Sequence, residues 1–137
     1  MTAAEHGLLL EWFDNLSVGI NELDGHHKEM VNLINKLYKA VNSNLGTESI
    51  TEIVAELMDY ANYHFGAEEA LFELKQFPEA FSHSEKHLEY REHLAEFRDA
   101  IGAGDESAVP QLMEFLYSWW TRHILECDKK YTPFLKD

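Results

Sequence analysis

Four segments of this chain repeat apolar residues at alternating spacings of three and four. This spacing follows the turn of an α-helix, so each segment presents one apolar stripe along a helix. In the first segment the stripe contains Leu23, Met30, Ile34 and Leu37. No segment alternates with the period of two that a half-buried strand requires. The pattern predicts an all-α protein.

Turn and cap signals divide the four segments. The stretch from Asn42 to Gly46 is typical of a helix end and a turn, Pro78 interrupts the next segment, and Gly102 to Asp105 ends the third. These signals predict helices over about 19–43, 48–75, 79–101 and 107–128. Because the connections are short, we expect an up-down-up-down four-helix bundle.

The residues before the first helix are too apolar for a free tail. Residues 1–18 contain several large apolar side chains, namely Leu8, Leu9, Leu10, Trp12 and Phe13. They have no sustained helical period, so we expect them to lie across the bundle. The sequence therefore predicts an ordered N-terminal arm.

Composition limits the class of protein. A chain of 137 residues, 45% of them apolar, predicts one domain over residues 1–137. The net charge of −14 disfavours nucleic acid and anionic membrane surfaces as partners. We expect no membrane insertion, because no apolar run approaches the length of a span. A single cysteine, Cys127, and the lack of a signal peptide predict a soluble, cytoplasmic protein.

Every stripe carries metal-ligating side chains at positions where a simple core would have Leu or Ile. His64 and Glu68 are four residues apart, so both point to the same side of one helix. A single such pair is more often a solvated or hydrogen-bonded feature than a ligand pair. The whole set would be costly to bury without a bound cation. Its members are His27, His64, Glu68, His83, His87, His123 and Asp128.

The donor types favour iron or manganese. Five imidazoles and two carboxylates are too many for a structural zinc ion, which takes about four donors. If both carboxylates and one solvent-derived group bridge two octahedral ions, about one coordination position stays open for a small ligand. His123 and Asp128 are five residues apart, about 140° around a regular helix, so we expect the helix to be distorted there.

The motifs resemble those of the single-domain bacterial hemerythrins over nearly the whole chain. They read Asp24-Gly25-His26-His27, His64-Phe65-Gly66-Ala67-Glu68-Glu69, His83-Ser84-Glu85-Lys86-His87, and Trp119-Trp120-Thr121-Arg122-His123 followed by Asp128-Lys129-Lys130-Tyr131. The resemblance implies two non-haem iron ions that bind dioxygen reversibly, bridged by Glu68, Asp128 and an oxo or hydroxo group. It also implies that small anions such as azide mimic the ligand.

The same resemblance implies how the ligands are divided. His83, His87 and His123 would hold the six-coordinate iron, and His27 and His64 the five-coordinate one. We expect a monomer that carries oxygen and is not an enzyme, apart from weak oxidase or peroxidase activity. Alternatives are a di-iron enzyme that reduces peroxide, dioxygen or nitric oxide, and an oxygen or iron sensor. A bundle without metal is a further alternative.

Some residues near the motifs require a choice. The family usually has glutamine before the ligand of the first helix, but this chain has His26. Because neighbouring helical residues point about 100° apart, we expect one of the two histidines to point outward, and the apolar stripe selects His27 as the ligand. His6 and His93 lie off the stripes and are expected in solvent. Cys127 is expected to be a small buried residue and not a ligand.

Trp119 and Trp120 both precede His123. The stripe of the fourth helix places Trp119 inward, together with Leu112 and Leu116. Trp120 occupies a position where the family more often has a leucine facing the oxygen pocket. Either indole could therefore line the pocket while the other packs between helices.

Overall fold

The computed structural model describes residues 9–135, and all regular structure in that range is helical. Consecutive helices pack against each other, and contacts between the first and the fourth close the bundle. The predicted all-α, up-down-up-down four-helix bundle is confirmed. Its four long helices are α1 (Asn21–Asn42), α2 (Thr47–Lys75), α3 (Ala80–Gly102) and α4 (Ala108–Arg122).

Residues in the left-handed backbone region end the first three helices. They are Asn44, Gln76 and Gly104, with φ angles of 58°, 55° and 90°. After Gln76, the amide of Phe77 donates a 3.0 Å hydrogen bond to the carbonyl of Phe72, five residues back. This arrangement satisfies a carbonyl at the end of α2 and reverses the chain direction within a few residues. The short turns therefore bring neighbouring helices together antiparallel.

The apolar stripes meet in one core. Leu23, Ile34, Leu57, Leu94 and Leu116 come from all four long helices, and each is fully buried. Burial of this apolar surface provides the main driving force for packing the helices together. No helix within residues 9–135 has the combined length and apolarity needed to span a membrane.

The described part of the N-terminal arm, residues 9–18, is held by side chains of α1. The backbone amides of Leu9 and Leu10 donate to Asn35 Oδ1 at 2.9 and 3.0 Å, and Asn35 Nδ2 donates to the Leu10 carbonyl at 2.7 Å. Farther along, the Val18 amide donates to Asp24 Oδ1 at 2.8 Å. The arm is therefore ordered in this range, as predicted, whereas residues 1–8 lie outside the described residues.

The sequence predicted Trp119 on the inward side of α4, but the structure places Trp120 there. Trp120 is the fully buried indole, with 1% of its surface exposed, and Trp119 is only partly buried. Trp119 instead stacks on the ring of His123, with ring centroids 4.3 Å apart and planes inclined by 14°. Because the two residues point about 100° apart, one rotation of α4 decides which indole enters the core.

Candidate metal centre

The seven predicted donors converge inside the bundle. Helix α1 supplies His27, and α2 and α3 each supply a pair of donors one turn apart. A spacing of four residues puts each pair on the same side of its helix. None of the seven side chains exposes more than 4% of its surface: His27, His64, Glu68, His83, His87, His123 and Asp128. The structure therefore brings every predicted ligand to one buried place.

The chain after α4 has the distortion that the spacing of His123 and Asp128 requires. Regular α-helix ends at Arg122, and His123–Cys127 form a π-helical turn. A 3₁₀ turn, Asp128–Tyr131, follows, and then a short helix α5, Thr132–Leu135. The wider π turn moves Asp128 around the helix axis until it faces inward with His123. The predicted distortion is confirmed, and the predicted fourth helix over 107–128 is regular only as far as residue 122.

The donors form two groups that share one carboxylate. One group is Glu68, His83, His87 and His123, and the other is His27, His64, Glu68 and Asp128. Within each group, one ligand atom from every residue lies within 4.8 Å of the others. Two neighbouring groups of this kind match a two-ion site better than a single ion.

The two oxygens of Asp128 face different groups. Oδ1 lies 2.9 Å from His83 Nε2 and 3.0 Å from His123 Nε2. Oδ2 lies 3.0 Å from His27 Nε2, which belongs to the other group. Asp128 therefore lies between the two groups with one oxygen turned to each.

The two oxygens of Glu68 also face different groups. Its Oε1 lies 3.1 Å from His87 Nε2 and 3.6 Å from His83 Nε2. Its Oε2 lies 3.4 Å from His64 Nε2 and 4.0 Å from His27 Nε2. Both carboxylates thus have the placement that a bridge between two cations requires.

Many donor atoms of the cluster make no well-aligned hydrogen bond to another residue of the described range. Within residues 9–135, Nε2 of His83, His87 and His123, Oε1 of Glu68 and both oxygens of Asp128 make no aligned hydrogen bond. Unpaired buried polar atoms are costly, and lone pairs that face one another do not satisfy one another. One cation in each of the two groups would satisfy them. Nitrogen and carboxylate donors without thiolate suit iron, so the residues fit a pair of iron ions.

The close contacts between histidines and carboxylates also shift the pKa values of these groups in the protein without metal. Burial would raise the pKa of Glu68, but the charge of His64 and polar contacts with His64, His83 and His87 hold it well below its usual value. Burial would lower the pKa of His123, but the carboxylate of Asp128 raises it to about 10. Burial and the Glu68 charge would also raise the pKa of Asp128, but His123 and His27 hold it below its usual value. Both carboxylates are therefore ionised and available as ligands, whereas His123 must lose a proton to bind a cation.

Aromatic side chains pack beside the group of His27, His64, Glu68 and Asp128, called here the two-histidine group. The ring of Trp120 has its centroid 6.1 Å from that of His64 and 6.5 Å from that of His27. Phe65, which is fully buried, stacks on Trp120 at 5.7 Å and on His87 at 3.8 Å. Trp120 therefore packs beside the ligands of this group and contributes to its apolar surroundings.

The expectation that His26 points outward is wrong. Only 7% of its surface is exposed, and its Nδ1 lies 3.0 Å from Nδ1 of His64. The error arises because α1 is buried on two sides, one against the bundle interior and one against α2. Residues about 100° apart can then both be buried. His27 is the member of the pair that reaches the cluster.

The other described residues that were singled out from the sequence belong to neither group. His93 is exposed, as expected, and His6 lies outside the described residues. Cys127 is only partly buried and belongs to neither ligand group. A polar contact with His123 lowers the pKa of the Cys127 thiol. Sequence reasoning gave no role to Tyr131, which is fully buried and donates a hydrogen bond to Glu68. The signal available in the sequence was its place in the motif Asp128-Lys129-Lys130-Tyr131, three residues after a predicted ligand.

Comparisons with known proteins agree with this geometry. The family model described as the hemerythrin HHE cation binding domain matches residues 18–135. The bacteriohemerythrin of Stenotrophomonas maltophilia is 30% identical over 128 residues, which cover 93% of this chain and 82% of that protein. The bacteriohemerythrin of Pseudomonas aeruginosa is 33% identical over 129 residues, with the same coverage of 93% and 82%.

A eukaryotic relative and a solved structure extend the similarity. The hemerythrin-like protein of Naegleria gruberi is 33% identical over 127 residues, covering 90% of this chain and 92% of that protein. The crystal structure of a wild-type hemerythrin superposes with a TM-score of 0.85 at 24% identity, covering 94% of this chain and 99% of that one. That structure supports the fold, and the family match covers most of the sequence. The chain therefore belongs to the hemerythrin family.

Proposed function

We propose that this protein binds dioxygen reversibly at two non-haem iron ions, as an oxygen carrier for storage or delivery. The hemerythrin family is typically a family of di-iron oxygen-binding proteins. The observation that carries the proposal is the placement of Glu68 and Asp128, each with one oxygen turned to each of two histidine groups. Two bridging carboxylates imply two cations, and a dinuclear centre is what this function needs.

The histidines divide between the two ions. In the proposal, His83, His87 and His123 hold one iron, and His27 and His64 hold the other. Glu68, Asp128 and an oxo or hydroxo group bridge the pair. Because the second ion would have fewer histidine ligands, it would be the one with a coordination position for a small ligand. Two ferrous ions would supply the electrons and the Lewis acidity that reversible dioxygen binding requires.

The surrounding protein makes this charge acceptable in the core. Two ferrous ions, two carboxylates and one hydroxide carry a net charge of about +1, which a mostly apolar interior tolerates. Trp120 and Phe65 are almost fully buried beside the ligands. Apolar rings in this position would exclude water and so limit proton entry to a bound ligand. This exclusion favours a carrier over a centre that turns dioxygen over.

The test is anaerobic reconstitution with ferrous iron, followed by metal analysis and optical spectroscopy. We expect two irons per chain, a new visible absorption on exposure to air, and its loss when oxygen is removed. Azide should compete for the oxidised protein. A chain that binds no iron would contradict the proposal. Rapid consumption of dioxygen, peroxide or nitric oxide with a reductant would instead support the alternative of a di-iron enzyme.

A further inference from the structure

We propose that His26 is a positioning residue of the metal centre, which holds His64 in the tautomer and orientation that present Nε2 to an ion. This inference rests on the proposed function, because it concerns the ligands of the second iron. The observation that carries it is a contact between two buried imidazoles. His26 Nδ1 lies 3.0 Å from His64 Nδ1, and the two rings are nearly perpendicular at 87°.

The direction of this hydrogen bond follows from the other side of the His64 ring. Its Nε2 faces the cluster, 3.1 Å from His27 Nε2 and 3.4 Å from Glu68 Oε2. A neutral imidazole that offers the lone pair of Nε2 to a metal carries its proton on Nδ1. His64 is therefore the donor and His26 Nδ1 the acceptor. His26 must then carry its own proton on Nε2.

Neighbouring rings hold His26 where it can accept this bond. Tyr60 meets its ring edge-on, with centroids 6.1 Å apart, and Tyr63 packs at 5.1 Å. Both tyrosines come from α2, the helix that also carries His64. The imidazole therefore has little freedom to turn away, and its contact with His64 ties α1 to α2 directly behind the ligand.

Two neighbouring residues of α1 serve the same donor group in different ways. His27 reaches the two-histidine group itself, and the residue before it supports the other histidine of the same group. Within the described residues, Nδ1 of His27 has no hydrogen-bond partner. Of His27 and His64, only His64 thus has a side chain of the described range hydrogen-bonded to its Nδ1. Metal binding by His64 should therefore depend on its neighbour His26 more than metal binding by His27 does. Loss of such an outer partner typically weakens metal binding by about 10- to 100-fold.

Three substitutions separate hydrogen bonding from packing. His26→Phe keeps a ring beside Tyr60 and Tyr63 but removes the acceptor. His26→Leu also removes the acceptor, with a smaller apolar side chain that has no ring. His26→Gln restores an acceptor oxygen. His93→Leu is the matched control, because His93 is an exposed histidine on α3. Thermal unfolding of each metal-free variant shows whether the fold is intact.

The first measurement is anaerobic titration of each protein with ferrous iron in competition with a chelator. We expect His26→Phe and His26→Leu to bind the second ion about 10- to 100-fold more weakly, with the first ion unchanged. His26→Gln and His93→Leu should match the unmodified protein. If every variant bound the first and the second ion as tightly as the unmodified protein does, the inference would be overturned. A His26→Gln variant that binds as weakly as His26→Phe would overturn it as well.

The second measurement does not depend on iron. In protein loaded with diamagnetic zinc, proton NMR should show a slowly exchanging ring N–H of His64 in the unmodified protein and in His26→Gln. It should be lost in His26→Phe. Persistence of this signal in His26→Phe would contradict the assigned hydrogen bond. If the unmodified protein bound fewer than two ions, the proposed function would fail, and this inference with it.

Discussion

Tyr131 Oη donates a 2.6 Å hydrogen bond to Glu68 Oε2, across 63 residues of sequence. Both side chains are fully buried. Oε2 is the oxygen that faces the two-histidine group, so the phenol fixes how the carboxylate lies between the two groups. The segment after the π turn thus supports a donor of α2 in addition to supplying Asp128.

Removing this hydroxyl should destabilise the protein. Tyr131→Phe keeps the ring in contact with Phe72 and Phe77 but leaves a buried carboxylate oxygen without its donor. We expect the free energy of unfolding of the metal-free protein to fall by about 1.5–3 kcal/mol, as for hydrogen bonds to charged groups. Urea denaturation measures this change. The control is Tyr117→Phe, at a residue that is 46% exposed, and an equal loss in both variants would argue against the role of the hydrogen bond.

The proposed bridging role of Glu68 and Asp128 predicts a change in metal content when either is replaced. Because each of them turns one oxygen to each histidine group, Glu68→Ala or Asp128→Ala should cost more than one of the two irons. Iron analysis after anaerobic loading measures this directly. Glu126→Ala is the control, since Glu126 is exposed and belongs to neither group. Full retention of both irons in the Glu68 and Asp128 variants would show that neither carboxylate bridges.

Trp120 should control access to the centre. Its indole fills the space beside His27 and His64, so Trp120→Leu opens room there without removing a ligand. We expect several-fold faster azide and dioxygen binding with unchanged iron content. Faster autoxidation should accompany it, because water enters more easily. Stopped-flow mixing measures these rates, with Trp12→Leu in the N-terminal arm as the control. Unchanged rates would place Trp120 in the scaffold only.

Metal binding should release protons. Burial lowers the pKa of His123, but the Asp128 carboxylate raises it to about 10. This imidazole is therefore protonated near neutral pH in the protein without metal. Its proton must leave before Nε2 can bind a cation, so the apparent affinity should rise with pH up to about 10. Calorimetry near pH 8 in buffers of different ionisation enthalpy should detect about one proton from His123. An affinity that does not depend on pH would contradict this assignment.

The stripes predicted that most of the seven donors lie together, because these donors come in local pairs. His64 with Glu68, and His83 with His87, are each four residues apart, and the geometry of one helix turn is enough to align them. The spacing of His123 and Asp128 also predicted the π turn, since no regular helix directs both residues inward. Predictions of this kind succeed because a helix fixes relative directions over short distances.

Two assignments failed where the environment of a whole helix mattered. His26 was expected to point outward, but it is buried against His64 of α2. Trp119 was expected inside, but the rotation of α4 buries Trp120 instead. A periodic pattern describes one inward face, and it gives neither the width of that face nor its final rotation.

The sequence by itself determined the four amphipathic helices, the places where they end and the types of donor on their inner faces. Tertiary structure decided which oxygen of Glu68 and Asp128 faces which histidines, and it paired His26 with His64 and Tyr131 with Glu68. These last two pairs join residues 38 and 63 positions apart. Local periodicity orients side chains within one helix, whereas the rotation and shift between helices follow from packing against side chains that are distant in the chain.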